Sequence, residues 1–170
     1  PYAHPVTQSV RIDDSSAGND DGLADPDETV SLYLTALNDG SFDTSAPLTA
    51  TYSAGTGSTA AFILGGSGQL TFGAAPLAAA ASTESADSIE LSVDGSALLG
   101  DTMVIDVVYS SGADTWSETI VVDVTGLPWL DCPYADDAQG DNMGGAPFDI
   151  KSSSYRSDGV LLQVKLDSYT

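Results

Sequence analysis

The stretch Thr29-Val30-Ser31-Leu32-Tyr33-Leu34-Thr35-Ala36-Leu37 decides the fold class. Val30, Leu32, Leu34 and Ala36 fall on one side of a period-two repeat, and Ser31, Tyr33 and Thr35 fall on the other. That is the pattern of a strand buried on one face of an antiparallel sheet. Comparable β-branched and aromatic runs recur at 6–12, 47–53, 59–64, 69–72, 88–93, 102–109 and 115–124, separated by clusters of Gly, Asp, Asn and Ser. Helical periodicity is scarce, so the chain is expected to be all-β, an antiparallel β-sandwich of eight strands. The runs 102–109 and 115–124 flank Ser110-Ser111-Gly112-Ala113-Asp114, a loop of hairpin length. Val104, Ile105, Val107 and Val108 make that hairpin apolar on both faces, which places both its strands at the centre of a sheet.

Downstream the pattern stops. Thr125-Gly126-Leu127-Pro128-Trp129 breaks the last strand, and residues 130–145 are rich in Asp and Gly. A domain boundary is therefore expected here, with a sandwich over 1–127 and a linker plus partial second β module over 128–170. Within the second part only 160–169 forms a full strand pattern, with a shorter one around 148–150. Some forty residues bury too little surface to fold without disulfides or a tightly held metal, so the expectation is either a chain cut inside a second domain or strands that complete themselves against the first domain or a neighbouring molecule.

Composition excludes several classes of partner. Of 170 residues, 25 are Asp or Glu and only 4 are Lys or Arg, a net charge of −21 that repels nucleic acid and anionic bilayers. At 42% hydrophobic the chain is nevertheless too apolar to be a disordered acidic tail. It contains no run of 18 apolar residues, so membrane insertion through a helix is not expected. The start at Pro1, without Met or a leader pattern, fits a processed or truncated product. A single cysteine, Cys132, allows no internal disulfide and no multi-thiolate zinc site.

Acidity is most concentrated between the first two strands. Seven of the sixteen residues from Asp13 to Glu28 are acidic, and no cation interrupts them. Laid on the calcium-loop template, Asn19 takes position 3, Asp21 position 5, Gly22 the glycine position 6, Leu23 the backbone-carbonyl position 7, Asp25 position 9 and Glu28 the bidentate position 12. Position 1 falls on Ala17, and Asp13 or Asp14 folding back would supply the missing oxygen. A strand rather than a helix follows, so the expectation is a Ca²⁺ loop between two strands, with no EF-hand helix pair. Hard oxygen donors without His or thiolate select Ca²⁺ over zinc or copper. The competing reading is a solvated turn whose charge serves solubility alone. A second acidic, Gly-rich bend places Asp137, Asp141 and Asp149 as further candidate ligands, and an interdomain linker would have the same composition.

Catalytic signals are poor, and no enzyme is expected. The only histidine, His4, is near a terminus expected to fray, and Gly66-Ser67-Gly68 lacks the nucleophile-elbow spacing. Cys132 follows Asp131, whose charge disfavours a thiolate. Trp116 and Trp129 are read as packing residues before sugar-stacking ones.

The segment Asn19–Gly40, NDDGLADPDETVSLYLTALNDG, resembles a motif of extracellular β-sandwich modules in bacterial surface proteins and gingipain-like secreted peptidases. In those modules an acidic Asp-Gly loop, an Asp-Pro-Gly-Glu turn, a strand and an Asn-x-Gly turn follow one another. Here Asp27 stands where the glycine is usual. The segment 136–170 is similar to the opening of another secreted sandwich module. The resemblance implies an immunoglobulin-like, non-catalytic module, extracellular or at the cell surface; with the acidic loop read as a Ca²⁺ site, the expectation is a calcium-stabilised structural or adhesive module of a bacterial surface protein or filament. Its implied partners are other copies or domains of the parent protein, with cell-surface carbohydrate as a further one. The alternative it leaves open is an accessory substrate- or carbohydrate-binding module of a secreted hydrolase such as a peptidase.

Overall fold

The structure, a computed structural model, describes residues 2–18, 21–125, 148–154 and 163–168, the last two stretches as backbone alone. The chain divides into two compact units, Pro1–Pro128 and Trp129–Thr170. No helix occurs among the described residues.

The first unit is built from β1 (Pro5–Asp13), β2 (Thr29–Asn38), β3 (Pro47–Ala54), β4 (Phe62–Gly65), β5 (Gln69–Pro76), β6 (Ser82–Glu84), β7 (Ile89–Val93), β8 (Thr102–Ser111) and β9 (Asp114–Asp123). They form two antiparallel sheets, a β-sandwich-like arrangement. One sheet has the order β1-β2-β7-β4, with β6 also pairing β2; the other has the order β5-β3-β8-β9. β2 and β8 alternate buried and half-buried residues along their whole length, as their sequence pattern requires. Val30, Leu32, Leu34 and Ala36 of β2 and Ile89 and Leu91 of β7 share one core with Leu48 of β3, Leu70 and Phe72 of β5, and Met103, Ile105, Val107 and Tyr109 of β8. Each large aliphatic side chain withdrawn from water in this way stabilises by about 1.5–3 kcal/mol relative to exposure.

Three local features differ from the pattern expected of the sequence. First, β9 is an edge strand and only β8 is central, because β9 presents Thr115, Ser117, Thr119 and Asp123 outward while the apolar run is carried by β8. The hairpin between them is also tighter than five residues, since pairing continues to Ser111↔Asp114 and leaves Gly112 and Ala113 at the turn. Second, the strand expected over 59–64 begins only at Phe62, while the amides of Thr59 and Ala60 donate to the Thr102 carbonyl at 2.9 and 3.2 Å.

Third, a short strand, β6, precedes β7 on the same edge of β2. Between them Ser85 stands in for a ladder residue. Its amide donates to the Leu34 carbonyl at 2.8 Å and its hydroxyl accepts the Leu34 amide at 3.2 Å. The next residues turn to the opposite sheet, where the Ala86 amide reaches the Thr71 carbonyl at 2.8 Å and Thr71 Oγ1 donates to Asp87 at 2.7 Å.

The second unit contains β10 (Phe148–Ser154) and β11 (Gln163–Ser168), an antiparallel pair with a register irregularity between Ile150 and Ser153. The remainder of the strand expected over 160–169 lies outside the described residues, as do Trp129 and Cys132.

Candidate metal centre

The acidic segment is the loop joining β1 to β2, and strand alternation sends its first two carboxylates in different directions. Asp13, the last residue of β1, is drawn to the outer face. Its Oδ1 accepts the Ser15 hydroxyl at 2.6 Å and the Ser15 amide at 3.3 Å, and its Oδ2 lies 3.4 Å from Arg11. The Ser15 hydrogen bonds, and after them Arg11, hold this carboxyl below the usual range. Arg11 is occupied there as well, bonded to Glu84 at 2.9 and 3.2 Å and stacked 4.1 Å above the Tyr33 ring. Its hydrogen bond keeps Glu84 ionised to lower pH.

Asp14 turns inward and is 2% exposed. Its Oδ2 accepts the Asp21 amide at 3.0 Å and its Oδ1 accepts the Gly22 amide at 3.1 Å, so one carboxylate closes the loop on itself. Gly22 follows with φ +76°, a left-handed conformation that favours glycine, at the template position where a glycine is required. Asp21 is exposed, and its Oδ1 accepts the Leu23 amide at 3.0 Å. Leu23 is half-buried and Ala24 is fully buried.

From here the loop is fixed to the body of the unit. The Ala24 carbonyl accepts the Thr125 amide at 3.3 Å, the Glu28 amide donates to the Asp25 carbonyl at 3.3 Å, and the Glu28 carbonyl accepts the Val93 amide at 2.8 Å. Asp25 and Glu28 are consequently buried, 2% and 6% exposed. Asp27 between them is exposed with φ +68°, a left-handed conformation that favours glycine and that Asp tolerates.

The structure thus brings Asp14, Asp25 and Glu28 inside one loop, leaves Asp21 at its rim and places Asp13 on another face. Asn19, Asp137 and Asp141 lie outside the described residues, and Asp149 is on β10 as the register partner of Asp167. Among the described residues no group of three or more His, Cys, Asp and Glu side chains forms a metal cage. Chemically the loop offers hard oxygen donors, carboxylates and backbone carbonyls, in a setting where burial disfavours uncompensated charge.

The N-terminal segment differs from expectation. His4 is held rather than frayed: its amide donates to Asn38 Oδ1 at 2.9 Å and its Nδ1 lies 2.6 Å from Asp39 Oδ1. Trp116 is half-buried and packs on the core. Two roles were missed by sequence reasoning. One is Asp14 as the backbone acceptor closing the loop, for which its spacing from Gly22 was the available signal; the other is a side-chain tie from Glu118 to Thr7, for which no local signal exists. No protein-family model, curated protein or solved structure matches the chain.

Proposed function

We propose that the first unit is a non-catalytic, calcium-stabilised structural or adhesive module of an extracellular surface protein, immunoglobulin-like in type, whose ion sits in the 14–28 loop. The observation that carries this reading is the burial of three carboxylates, Asp14, Asp25 and Glu28, within one fifteen-residue connection. Withdrawing like charges from water is costly unless a cation or several hydrogen bonds compensate them, and a divalent ion offsets all three at once. Asp14, Asn19, Asp21, the Leu23 carbonyl, Asp25 and Glu28 are the ligands proposed. Asp13 is drawn to the outer face, where Ser15 and Arg11 bind it, and is left out of that set.

The strand arrangement supports the immunoglobulin-like type: β1, β2 and β7 lie in one sheet and β3, β8 and β9 in the other. The departure is the passage β4-β5, which visits the first sheet before the second. The β10-β11 pair is too small to stand alone, since a two-stranded ribbon is marginal in water, and fits one part of a further β module. In this reading the partners are other copies or domains of the parent protein.

Thermal unfolding of the full chain tests the proposal. Calcium at a hundred times its dissociation constant stabilises by about 2.7 kcal/mol, and a chelator removes the gain. Asp25→Asn and Glu28→Gln should each remove about half of that calcium-dependent gain or more. A wild-type midpoint indifferent to both calcium and chelator would overturn the proposal.

A further inference from the structure

The first and last strands of the first unit, β1 and β9, are edges of different sheets, and no strand pairing joins them. A side chain does. Glu118 of β9 reaches Thr7 of β1, whose amide donates to both carboxylate oxygens at 2.9 and 3.1 Å and whose hydroxyl donates to Oε1. Behind this contact the Tyr109 hydroxyl lies 2.7 Å from Thr7 Oγ1, so Tyr109 donates to Thr7 and Thr7 donates to Glu118. Tyr109 is fully buried and its ring meets that of Phe72 at a 54° tilt with centroids 5.5 Å apart, so the tie is anchored in the core. The register of β1 on β2 shifts between Thr7 and Ser9, a bulge of the kind that bends a strand and re-aims its side chains.

The direction of the two strands gives the tie its significance. β1 runs antiparallel to β2. β3 starts where β2 ends: Asn38 Nδ2 donates to the Leu77 carbonyl at 3.1 Å, and the Leu77 carbonyl also accepts the Thr44 amide at 2.9 Å, three residues before Pro47. At the other end the Ala24 carbonyl before β2 accepts the Thr125 amide after β9 at 3.3 Å, so β9 ends where β2 begins; with β8 against β3 and β9 against β8, both β3 and β9 run against β2. It follows that β1 and β9 run parallel. Tension applied between the entry of β1 and the exit of β9 pulls two parallel strands in opposite directions along their axes and loads the Thr7–Glu118 bonds in shear, all together.

We propose that Glu118 is a mechanical clamp, a carboxylate that carries load between the first and last strands of the unit. Charge-assisted bonds suit this role because each is about twice as strong as a neutral one. The inference does not depend on calcium, since none of these residues belongs to the 14–28 loop.

The test is single-molecule stretching of the full chain from its two ends, with rupture of the first unit recognised by a contour gain on the order of 400 Å. Glu118→Ala should shorten the lifetime of that unit under constant tension by about tenfold or more, as expected for losing hydrogen bonds to a charged group. Thr7→Val, which keeps the amide but removes the hydroxyl, should shorten it less, and provides the reading if Glu118→Ala does not fold. Thr29→Ala, which removes the Thr29–Ser92 hydroxyl contact of 2.8 Å away from the β1–β9 line, is the control for general destabilisation. The proposal fails if the Glu118 variant, or Thr7→Val in its place, matches wild type under tension, or if Thr29→Ala shortens the lifetime equally for the same loss of melting temperature.

Discussion

The two ends of β2 bury polarity in different ways. At its C-terminal end Asn38 is fully buried, yet its amide makes four hydrogen bonds: Oδ1 accepts the His4 and Gly40 amides at 2.9 and 3.2 Å, and Nδ2 donates to the Phe42 and Leu77 carbonyls at 2.8 and 3.1 Å. A neutral amide has two donors and an acceptor oxygen with two lone pairs, and the surrounding backbone saturates it. At the N-terminal end the buried groups are carboxylates. The chain gives each oxygen of Asp14 one amide, but a hydrogen bond does not cancel net charge, and Asp25 and Glu28 are buried three residues apart. One end is therefore neutral, with its polar atoms paired by the backbone, and the other buries net negative charge, which is what the proposed calcium would offset.

The largest effect should come from breaking the neutral end. Asn38→Ala takes a hydrogen-bond partner from the backbone of His4, Gly40, Phe42 and Leu77 at once, leaves the Leu77 carbonyl with the Thr44 amide alone, and should cost about 3 kcal/mol in denaturant unfolding, equally with calcium or chelator. A calcium-dependent loss would mean that the two ends are coupled. Gly40→Ala follows in size. A Cβ there would stand 2.3 Å from the Tyr2 carbonyl oxygen and 2.6 Å from the His4 amide, so the segment 2–4 must give way, at about 1–3 kcal/mol. Amide exchange at Ser41 and Asp39, which donate to the Tyr2 and His4 carbonyls at 3.0 and 3.1 Å, should report that detachment directly. The smallest change sharpens the ionic end: Asp27→Gly relieves the left-handed φ of +68° and should stabilise by about 1 kcal/mol at most, without altering the calcium response. A lost calcium response would place the Asp27 side chain among the ligands.

These residues also show how far the sequence could be read. The alternation in β2 was legible because its period is a property of the strand alone, and it located four core residues at once. β6 was not, because Ser82–Glu84 is three polar residues long and becomes a strand only through β2. The edge position of β9 was hidden for a related reason: the apolar residues that suggested a central hairpin belong to β8, and strand order is set by the whole sheet. In the loop, acid density and Gly22 were visible as a linear pattern. The division of labour between Asp13 and Asp14 was not, since it depends on the residue at which β1 stops. The need for glycine at 40 comes from a contact with Tyr2, thirty-eight residues away in sequence, which no local motif encodes.

Calorimetric titration of the chelated full chain with Ca²⁺ tests the central claim most directly. The account predicts one saturating site in wild type, at least tenfold weakened in Asp25→Asn and Glu28→Gln and unchanged in Asn38→Ala wherever that variant is folded. No heat of binding in wild type at millimolar calcium, or an affinity that Asp25→Asn and Glu28→Gln leave intact, would contradict it.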